Sequence, residues 1–345
     1  MVNKVSRSAA VFALMVLMMF SGCEEKKDMT EHKKDVFAMD TYMMLKVYGE
    51  NGDKVLMRAE KEIKELEGLF SVTDEKSDIS RINKDGTAQT AEDTSNLIRK
   101  SLEYSELTEG ALDITVYPVL REWGFTTGQY HIPDDSTVKE LLKKVSYKNI
   151  TVNDGTVTLA KNAEIDLGSV AKGYTSDRLC ELFRNEGITS ALVNLGGNVQ
   201  AVGKKPDGSM WRVGVEDPKD NSNIVCTLEI EDKAVITSGN YERFFTGDDG
   251  RNYWHIIDPK TGRPADNGLI SVTITGDSGT QCDALSTALF VMGTEKAMKF
   301  LSEHTEIDAV LIDNDMKVYI TEGIERVTEF SEDYEHTVIK RQETA

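Results

Sequence analysis

Residues 150–160 read ITVNDGTVTLA and carry the strongest β-hairpin signal in the chain. Asp154 and Gly155 stand between two runs of alternating apolar and polar residues, which is typical of a two-residue turn between antiparallel strands. Outward from this hairpin, alternation predicts strands at 41–47, 190–194, 198–203, 211–215, 224–230, 234–237, 253–257 and 269–275, and a last hairpin at 309–312 and 317–320.

Helical spacing of apolar residues alternates with these strands. It predicts helices at 55–70, 94–109, from about Asp166 to Gly187, 281–292 and 294–303. Thr137 and Glu140 form a capping-box pattern that predicts a further helix start. Strands adjacent in sequence and joined by tight turns favour an α+β fold with largely antiparallel sheet over a doubly wound parallel one.

Composition excludes several classes of protein. The 345 residues include 40 Lys and Arg and 59 Asp and Glu, which gives a net charge of −19. This negative charge would repel a nucleic-acid backbone. With 39% hydrophobic and 29% charged residues, the chain is neither disordered nor a polytopic membrane protein. We therefore expect no nucleic-acid partner, and a phosphate ligand would need a metal or local cations.

The start of the chain predicts a secretory signal. Lys4 and Arg7 precede an apolar run at 9–20, too short to span a bilayer, and Ser21-Gly22 follows directly before Cys23. This ending resembles a bacterial lipoprotein signal. We therefore predict a signal peptide at 1–22, a lipidated Cys23, a charged tether over 23–35 and a domain over 36–345. Loss of the two basic residues of the signal peptide would change the net charge from −19 to −21. The mature chain would be lipid-anchored on the extracytoplasmic face of the cell membrane.

The other cysteines carry no predicted chemistry. Cys180, Cys226 and Cys282 match no zinc spacing and form no complete disulfide set. We expect them to be buried apolar residues.

Two glycine-containing segments are candidates for binding an anionic ligand. In DLGSVAKGY, 166–174, a helix start bracketed by glycines carries Lys172, and free N–H groups at such an end favour an anion. A plain helix cap explains this segment equally simply. In NLGGN, 194–198, paired glycines allow either a close approach to a ligand or a tight hairpin turn.

A third segment, CDALSTALFVMG at 282–293, is a candidate metal site. Asp283 and Thr287 are four residues apart on a predicted helix and therefore share a face. A carboxylate beside a hydroxyl suits Mg²⁺, which prefers oxygen ligands. The alternative is a buried aspartate that caps a helix.

His255, in YWHIIDPKTGRP at 253–264, is the candidate general base. Imidazole has an ordinary pKa near neutrality, and the chain has few other histidines. A sheet histidine paired with a polar neighbour is the simpler alternative for this position.

Seven motifs together identify a family. They are AMDT at 38–41, ALDITVYPVLREWGF at 111–125, DLGSVAKGY at 166–174, NLGGN at 194–198, ITSGNYERFF at 236–245, HIIDPKTGR at 255–263 and DALSTALFVMG at 283–293. In this order, behind a lipoprotein signal, they resemble the ApbE family of FAD:protein FMN transferases, and the resemblance extends over about 37–320. It implies an ApbE-like, T-fold-like domain.

The resemblance also implies an activity. Family members bind FAD and Mg²⁺ and transfer the FMN moiety to a threonine hydroxyl of an acceptor protein, releasing AMP. The acceptor is typically a redox-pump subunit or an extracytoplasmic electron-transfer flavoprotein. Two alternatives stay open for this chain: an Mg²⁺-dependent FAD pyrophosphatase that gives FMN and AMP, and a non-catalytic flavin-binding lipoprotein.

Site residues follow from the same resemblance. It implies Asp283 and His255 as catalytic residues and a metal site of Asp283, Thr287 and the Ser169 carbonyl. It implies FAD contacts at Met39, Thr73, Ala111, Leu112, Asp113, Asp166, Lys172, His255, Ile256 and Ile257. Two positions depart from the family pattern: Asp40 stands where glycine is common, and Thr73 stands where an aromatic residue is common.

Overall fold

The computed structural model describes residues 29–342. Their helices are α1 (Gly52–Phe70), α2 (Asp78–Asp85), α3 (Glu92–Leu107), α4 (Tyr117–Glu122), α5 (Asp135–Leu142), α6 (Ala171–Asn185), α7 (Gly279–Met292) and α8 (Thr294–Glu303). The strands as far as the middle of the chain are β1 (Glu31–Ala38), β2 (Thr41–Tyr48), β3 (Thr87–Gln89), β4 (Ile150–Asn153), β5 (Thr156–Leu159), β6 (Ser190–Leu195) and β7 (Asn198–Val202). Those that follow are β8 (Trp211–Asp217), β9 (Asp220–Ile230), β10 (Ala234–Gly239), β11 (Phe244–Thr246), β12 (Asn252–Trp254), β13 (Ile257–Asp258), β14 (Arg263–Pro264), β15 (Leu269–Gly276), β16 (Asp308–Asp313), β17 (Val318–Thr321), β18 (Thr328–Phe330) and β19 (His336–Ile339).

A nine-stranded sheet lies at the centre, in the order β1-β2-β6-β7-β10-β15-β16-β17-β19. Its neighbouring strands pair antiparallel, except for the parallel pair β17 and β19. The smaller sheets are β18-β9-β8, β3-β5-β4, β11-β12 and β13-β14. The predicted α+β class with largely antiparallel sheet is confirmed.

The central sheet is covered on both faces. Helices α1 and α6 pack on β1, β2 and β6 through a cluster that includes Leu45, Ile63 and Phe183. The opposite face of the sheet carries the β18-β9-β8 sheet through a cluster that includes Trp211 and Val310. β15 is buried along nearly its whole length, and α7 packs against both β15 and β10. This packing fixes α7, the helix of the candidate metal site, in the protein interior.

Both turns predicted from paired turn residues are present. Asp154 and Gly155, with φ of 45° and 76°, connect β4 and β5. Gly196 and Gly197, with φ of 63° and 97°, connect β6 and β7, and a Cβ on Gly196 would lie 2.1 Å from the Thr41 hydroxyl oxygen. NLGGN therefore forms the tight hairpin turn, and a close approach of this turn to a ligand stays a prediction.

Three boundaries differ from the predictions. β1 begins at Glu31, inside the predicted tether, so residues 31–35 belong to the sheet. The capping box at Thr137 is wrong, because the Asp134 carboxylate accepts from the Thr137 N–H at 2.8 Å and caps α5 three residues earlier. The strand predicted at 253–257 is divided into β12 and β13 around His255.

The cysteine prediction is confirmed, since Cys180, Cys226 and Cys282 are free and buried. The predicted signal peptide and Cys23 lie outside the described residues. Within 29–342, no helix combines the length and the apolar character needed to cross a membrane.

Candidate functional site

The candidate site is built where the first turns of α6 and α7 cross. A Cβ on Gly173 would lie 2.2 Å from the Gly279 carbonyl oxygen and 2.6 Å from the Asp283 Cβ. A Cβ on Gly279 would likewise lie 2.6 Å from the Gly173 carbonyl oxygen. Only glycine at both positions allows this approach, which brings Asp283 of α7 against the start of α6.

Asp283 is a buried carboxylate with few hydrogen bonds. Its exposed fraction is 5%, and its Oδ2 accepts from the Gly173 N–H at 2.8 Å. Burial raises the pKa of Asp283, while the nearby Lys172 charge and the hydrogen bond from the Gly173 N–H act to lower the pKa. Asn198 Nδ2 is buried and reaches no hydrogen-bond partner among the described residues. A buried carboxylate costs stability unless a cation or hydrogen bonds compensate its charge.

The other predicted metal ligands lie on the same two elements. Thr287 is one turn beyond Asp283 on α7, and its hydroxyl lies 3.4 Å from Ser238 Oγ. Ser169 lies two residues before α6, whose first turn contacts Asp283. Asp283 and Thr287 thus lie on the helix that packs against the start of α6, and coordination of one metal by these two residues and Ser169 stays a prediction.

The chemistry of this donor set fits Mg²⁺. The described residues hold no group of three His, Cys, Asp or Glu side chains arranged for a metal. The predicted set is of another kind, with one carboxylate, one hydroxyl and one backbone carbonyl, all of them hard oxygen ligands. The fit depends on the Asp283 carboxylate, which is buried and has only one hydrogen bond among the described residues to offset its negative charge.

Lys172 connects the metal helix with the candidate base. Its positive charge lowers the pKa of Asp283, of Glu242 and of His255. These three side chains come from α7, from the loop after β10 and from the residue after β12. The Lys172 charge thus acts on all three side chains, and we call the region of Lys172, Asp283, Glu242 and His255 the candidate cleft.

His255 is held in a neutral form with one ring nitrogen free. Its Nδ1 lies 3.2 Å from the Arg243 carbonyl oxygen, a contact that requires Nδ1–H to donate. Burial in the protein, aided by the charges of Arg243 and Lys172, lowers the pKa of His255 to about 4. At neutral pH the ring is therefore uncharged, and Nε2 is available to accept a proton.

The predicted FAD contact Met39 lies beside this cleft. Met39 and Asp40 form the β1–β2 turn with φ of 49° and 58°, and Thr175 of α6 donates to the Met39 sulfur at 3.8 Å. The Met39 N–H donates to Glu67 at 2.6 Å. Asp40 takes the left-handed conformation that glycine adopts easily, so this departure from the family pattern preserves the turn.

Several other residues that are predicted to contact FAD are buried in the protein or form hydrogen bonds within it. The Asp113 carboxylate accepts from the N–H groups of Thr115 and Tyr147 at 2.9 and 2.8 Å. Ala111 and Leu112 are buried, as are Ile256 and Ile257. Asp166 accepts from the Gly168 N–H at 2.8 Å, and burial raises its pKa against the opposing charge of Arg243.

Two of the residues predicted to contact FAD, Thr73 and Asp113, form their hydrogen bonds with residues outside the candidate cleft. Thr73 is exposed in the turn after α1 and lies 3.1 Å from Ser71 Oγ. No hydrogen bond or ion pair among the described residues joins Thr73 or Asp113 to Lys172 or Asp283. Asp113 instead borders an open cavity of about 440 Å³, together with Tyr147 and Lys260.

Sequence reasoning missed two charged residues of the cleft, Glu242 and Arg243. Glu242 touches solvent, yet the protein around it raises its pKa to about 7. The Arg243 charge acts on both Asp166 and His255. The ITSGNYERFF motif was the available signal, but adjacent Glu and Arg on a loop indicate no role until the fold places Glu242 near the Lys172 charge and Arg243 near Asp166 and His255.

The comparisons with known proteins agree with these motifs. The model of the ApbE family matches residues 39–311. An FAD:protein FMN transferase of Treponema pallidum is 30% identical over 333 residues, which is 90% of this chain and 92% of the relative. The crystal structure of an ApbE protein from Thermotoga maritima has a TM-score of 0.81 at 32% identity, covering 85% of this chain and 98% of that one. A flavin transferase ApbE from Vibrio cholerae has a TM-score of 0.77 at 28% identity, with the same coverage.

Proposed function

The chain belongs to the ApbE family, and we propose that it is an FAD:protein FMN transferase, an enzyme that transfers a phosphorus-containing group. The names of its relatives in Treponema pallidum and Vibrio cholerae support flavin transfer. The position of Asp283 against the start of α6 carries the proposal, because its Oδ2 accepts from the Gly173 N–H at 2.8 Å, one residue after Lys172. This contact brings the candidate metal-binding carboxylate to the helix turn that carries the cation, and the Lys172 charge also acts on His255, the candidate base.

In the proposed reaction, a threonine hydroxyl of the acceptor protein attacks the phosphorus on the FMN side of the FAD pyrophosphate. A new P–O bond forms to the threonine oxygen, the bridging P–O bond breaks, and AMP leaves with the bridging oxygen. The hydroxyl proton passes to His255 Nε2. Charge grows on the phosphate oxygens and on AMP, so local positive charge is the main requirement for the rate.

The residues of the cleft match these requirements. Asp283, Thr287 and the Ser169 carbonyl would hold Mg²⁺, which would neutralise the pyrophosphate when bound. Lys172 adds a second positive charge from the first turn of α6. His255 supplies a base whose proton-accepting nitrogen is not used by the protein, and general bases typically contribute about 10²–10⁴ in rate.

The test separates transfer from the two alternatives. The full chain in detergent is incubated with FAD, Mg²⁺ and an extracytoplasmic flavoprotein that carries an acceptor threonine. We expect AMP together with an acceptor mass increased by one FMN moiety. AMP with unmodified acceptor would identify an FAD pyrophosphatase, and FAD binding without AMP would identify a flavin-binding protein without turnover.

We also propose that the mature chain is a lipoprotein anchored through Cys23. The basic start, the short apolar run and Ser21-Gly22-Cys23 support this proposal. Because the sheet begins at Glu31, the connecting residues 24–30 would reach at most about 25 Å when extended. The domain would therefore act close to the extracytoplasmic membrane surface.

Substitution of Cys23 tests the anchor. We expect Cys23→Ser to abolish incorporation of labelled palmitate and to leave the unprocessed precursor to accumulate. Cys226→Ser is the matched control, because that cysteine is buried in β9 and should not affect labelling. Equal palmitate incorporation in Cys23→Ser and the unsubstituted protein would remove the lipoprotein assignment.

A further inference from the structure

We propose that Asp177 is a positioning residue that seats the metal-binding helix α7 against α6. This inference rests on the proposed function, because it concerns the orientation of the Asp283 carboxylate. Asp177 lies on α6, one turn after Gly173, and no motif considered above assigns it a role. Its carboxylate faces the start of α7.

The Asp177 carboxylate is the hydrogen-bond acceptor for the first turn of α7. Its donors are Gly279 N–H at 2.6 Å, Thr280 N–H at 2.9 Å, Thr280 Oγ1 at 2.7 Å, Ser278 Oγ at 2.8 Å and Gln200 Nε2 at 3.0 Å. Two of these donors are backbone N–H groups that have no partner within the helix. A negative charge at a helix N-terminus is also favoured by the helix dipole.

The relation between α6 and α7 is reciprocal. Val170 at the start of α6 provides no side-chain cap, and the Gly173 N–H donates to Asp283 of α7 instead. Each helix thus supplies a carboxylate to the first turn of the other. Gly173 and Asp177 are four residues apart on α6, as Gly279 and Asp283 are on α7, so each pair shares one face of its helix.

This arrangement couples Asp177 to the metal site. Asp177 fixes α7 at Gly279, and Asp283 lies four residues further on, about one turn along the same face of the helix. Gln200 in turn holds Asp177, and Ser176 Oγ donates to Gln200 Oε1 at 2.5 Å. Loss of the Asp177 charge would leave backbone N–H groups of a buried helix start poorly satisfied, and α7 would shift to find other partners. Such a shift moves Asp283 relative to Ser169 and Lys172.

The test measures metal binding directly. In Asp177→Asn the amide keeps the size of the side chain but replaces one acceptor oxygen with a donor. We expect the Mn²⁺ dissociation constant, measured by electron paramagnetic resonance on the full chain, to rise by about tenfold or more. The Mg²⁺ concentration for half-maximal AMP release should rise in parallel.

Asp78 provides a matched control. Like Asp177, it accepts from a backbone N–H and a threonine hydroxyl at a helix start: its Oδ2 accepts from the Ala91 N–H at 2.8 Å and from Thr94 Oγ1 at 2.7 Å at the start of α3. Asp78→Asn should lower the melting temperature and leave Mn²⁺ binding unchanged. If both variants weaken Mn²⁺ binding equally, Asp177 has only a general structural role and the proposal is overturned.

A milder variant keeps the proposal testable if Asp177→Asn does not fold. Thr280→Val removes one hydroxyl donor to Asp177 and nearly preserves side-chain volume. We expect a smaller rise in the Mn²⁺ dissociation constant, and unchanged Mn²⁺ binding would overturn the proposal. If the unsubstituted protein itself binds no Mn²⁺ and releases AMP without Mg²⁺, the proposed metal site fails, a result distinct from the failure of Asp177 as a positioning residue.

Discussion

Replacement of Asp283 by alanine is expected to lower the rate of AMP release by about 10³-fold or more, equivalent to about 4 kcal/mol of transition-state stabilisation. Asp283 is the only carboxylate of the implied ligand set, and the pyrophosphate concentrates negative charge where the reaction occurs. The protein as a whole is strongly acidic, so charge compensation must be local. The measurement is AMP release from FAD at a fixed, limiting Mg²⁺ concentration.

Asp283 also has a structural role, which requires a control. Its Oδ2 accepts the Gly173 N–H, so Asp283→Ala removes a helix cap together with the charge. Asp283→Asn retains a carbonyl oxygen that can accept this bond but lacks the negative charge. We expect Asp283→Asn to melt close to the unsubstituted protein and to be nearly as inactive as Asp283→Ala. Normal turnover of either variant at limiting Mg²⁺ would exclude Asp283 as a metal ligand.

Local sequence signals predicted the fold elements well. The Asp154-Gly155 turn needs left-handed backbone at both positions, a requirement that is visible in the sequence itself. The same holds for Gly196-Gly197 and for the apolar spacing of α1. The start of α5 was misplaced because Asp134, Thr137 and Glu140 all have capping side chains, and which one acts depends on the path of the preceding chain.

The candidate site could be predicted only in part. Asp283 and Thr287 share a helix, so their spacing indicates a common face without knowledge of the fold. Lys172 and His255 are far apart in sequence, and only the family resemblance implied that they meet. Asp177 gave no signal, because its partners on α7 lie about a hundred residues further along the chain. Tertiary contacts of this kind do not produce a local pattern.

Replacement of His255 by alanine is expected to slow single-turnover transfer by about 10²–10⁴-fold while FAD is still bound. The Nδ1–H is directed at the Arg243 carbonyl, so the variant loses the free Nε2 acceptor for the threonine proton. His304→Ala is the matched control, because His304 Nδ1 also contacts a backbone carbonyl oxygen, that of Phe300 at 2.9 Å, and its ring stacks on Phe300. The control should transfer FMN at the unsubstituted rate.

The pH dependence distinguishes a base at His255 from a structural histidine. Because the pKa of His255 is lowered to about 4, the neutral, proton-accepting ring persists well below the ordinary value. Glu242, whose pKa is raised to about 7, titrates in both the unsubstituted protein and His255→Ala, so the ratio of their kcat/KM values is the quantity to compare. We expect this ratio to stay constant between about pH 8 and pH 5.5, whereas a base with the ordinary pKa of about 6.5 would lower it about tenfold at the lower limit. If kcat/KM falls toward pH 4 in the unsubstituted protein but not in His255→Ala, the group that takes up a proton near pH 4 is His255. An unchanged single-turnover rate in His255→Ala would instead leave it a structural residue of the β12–β13 connection.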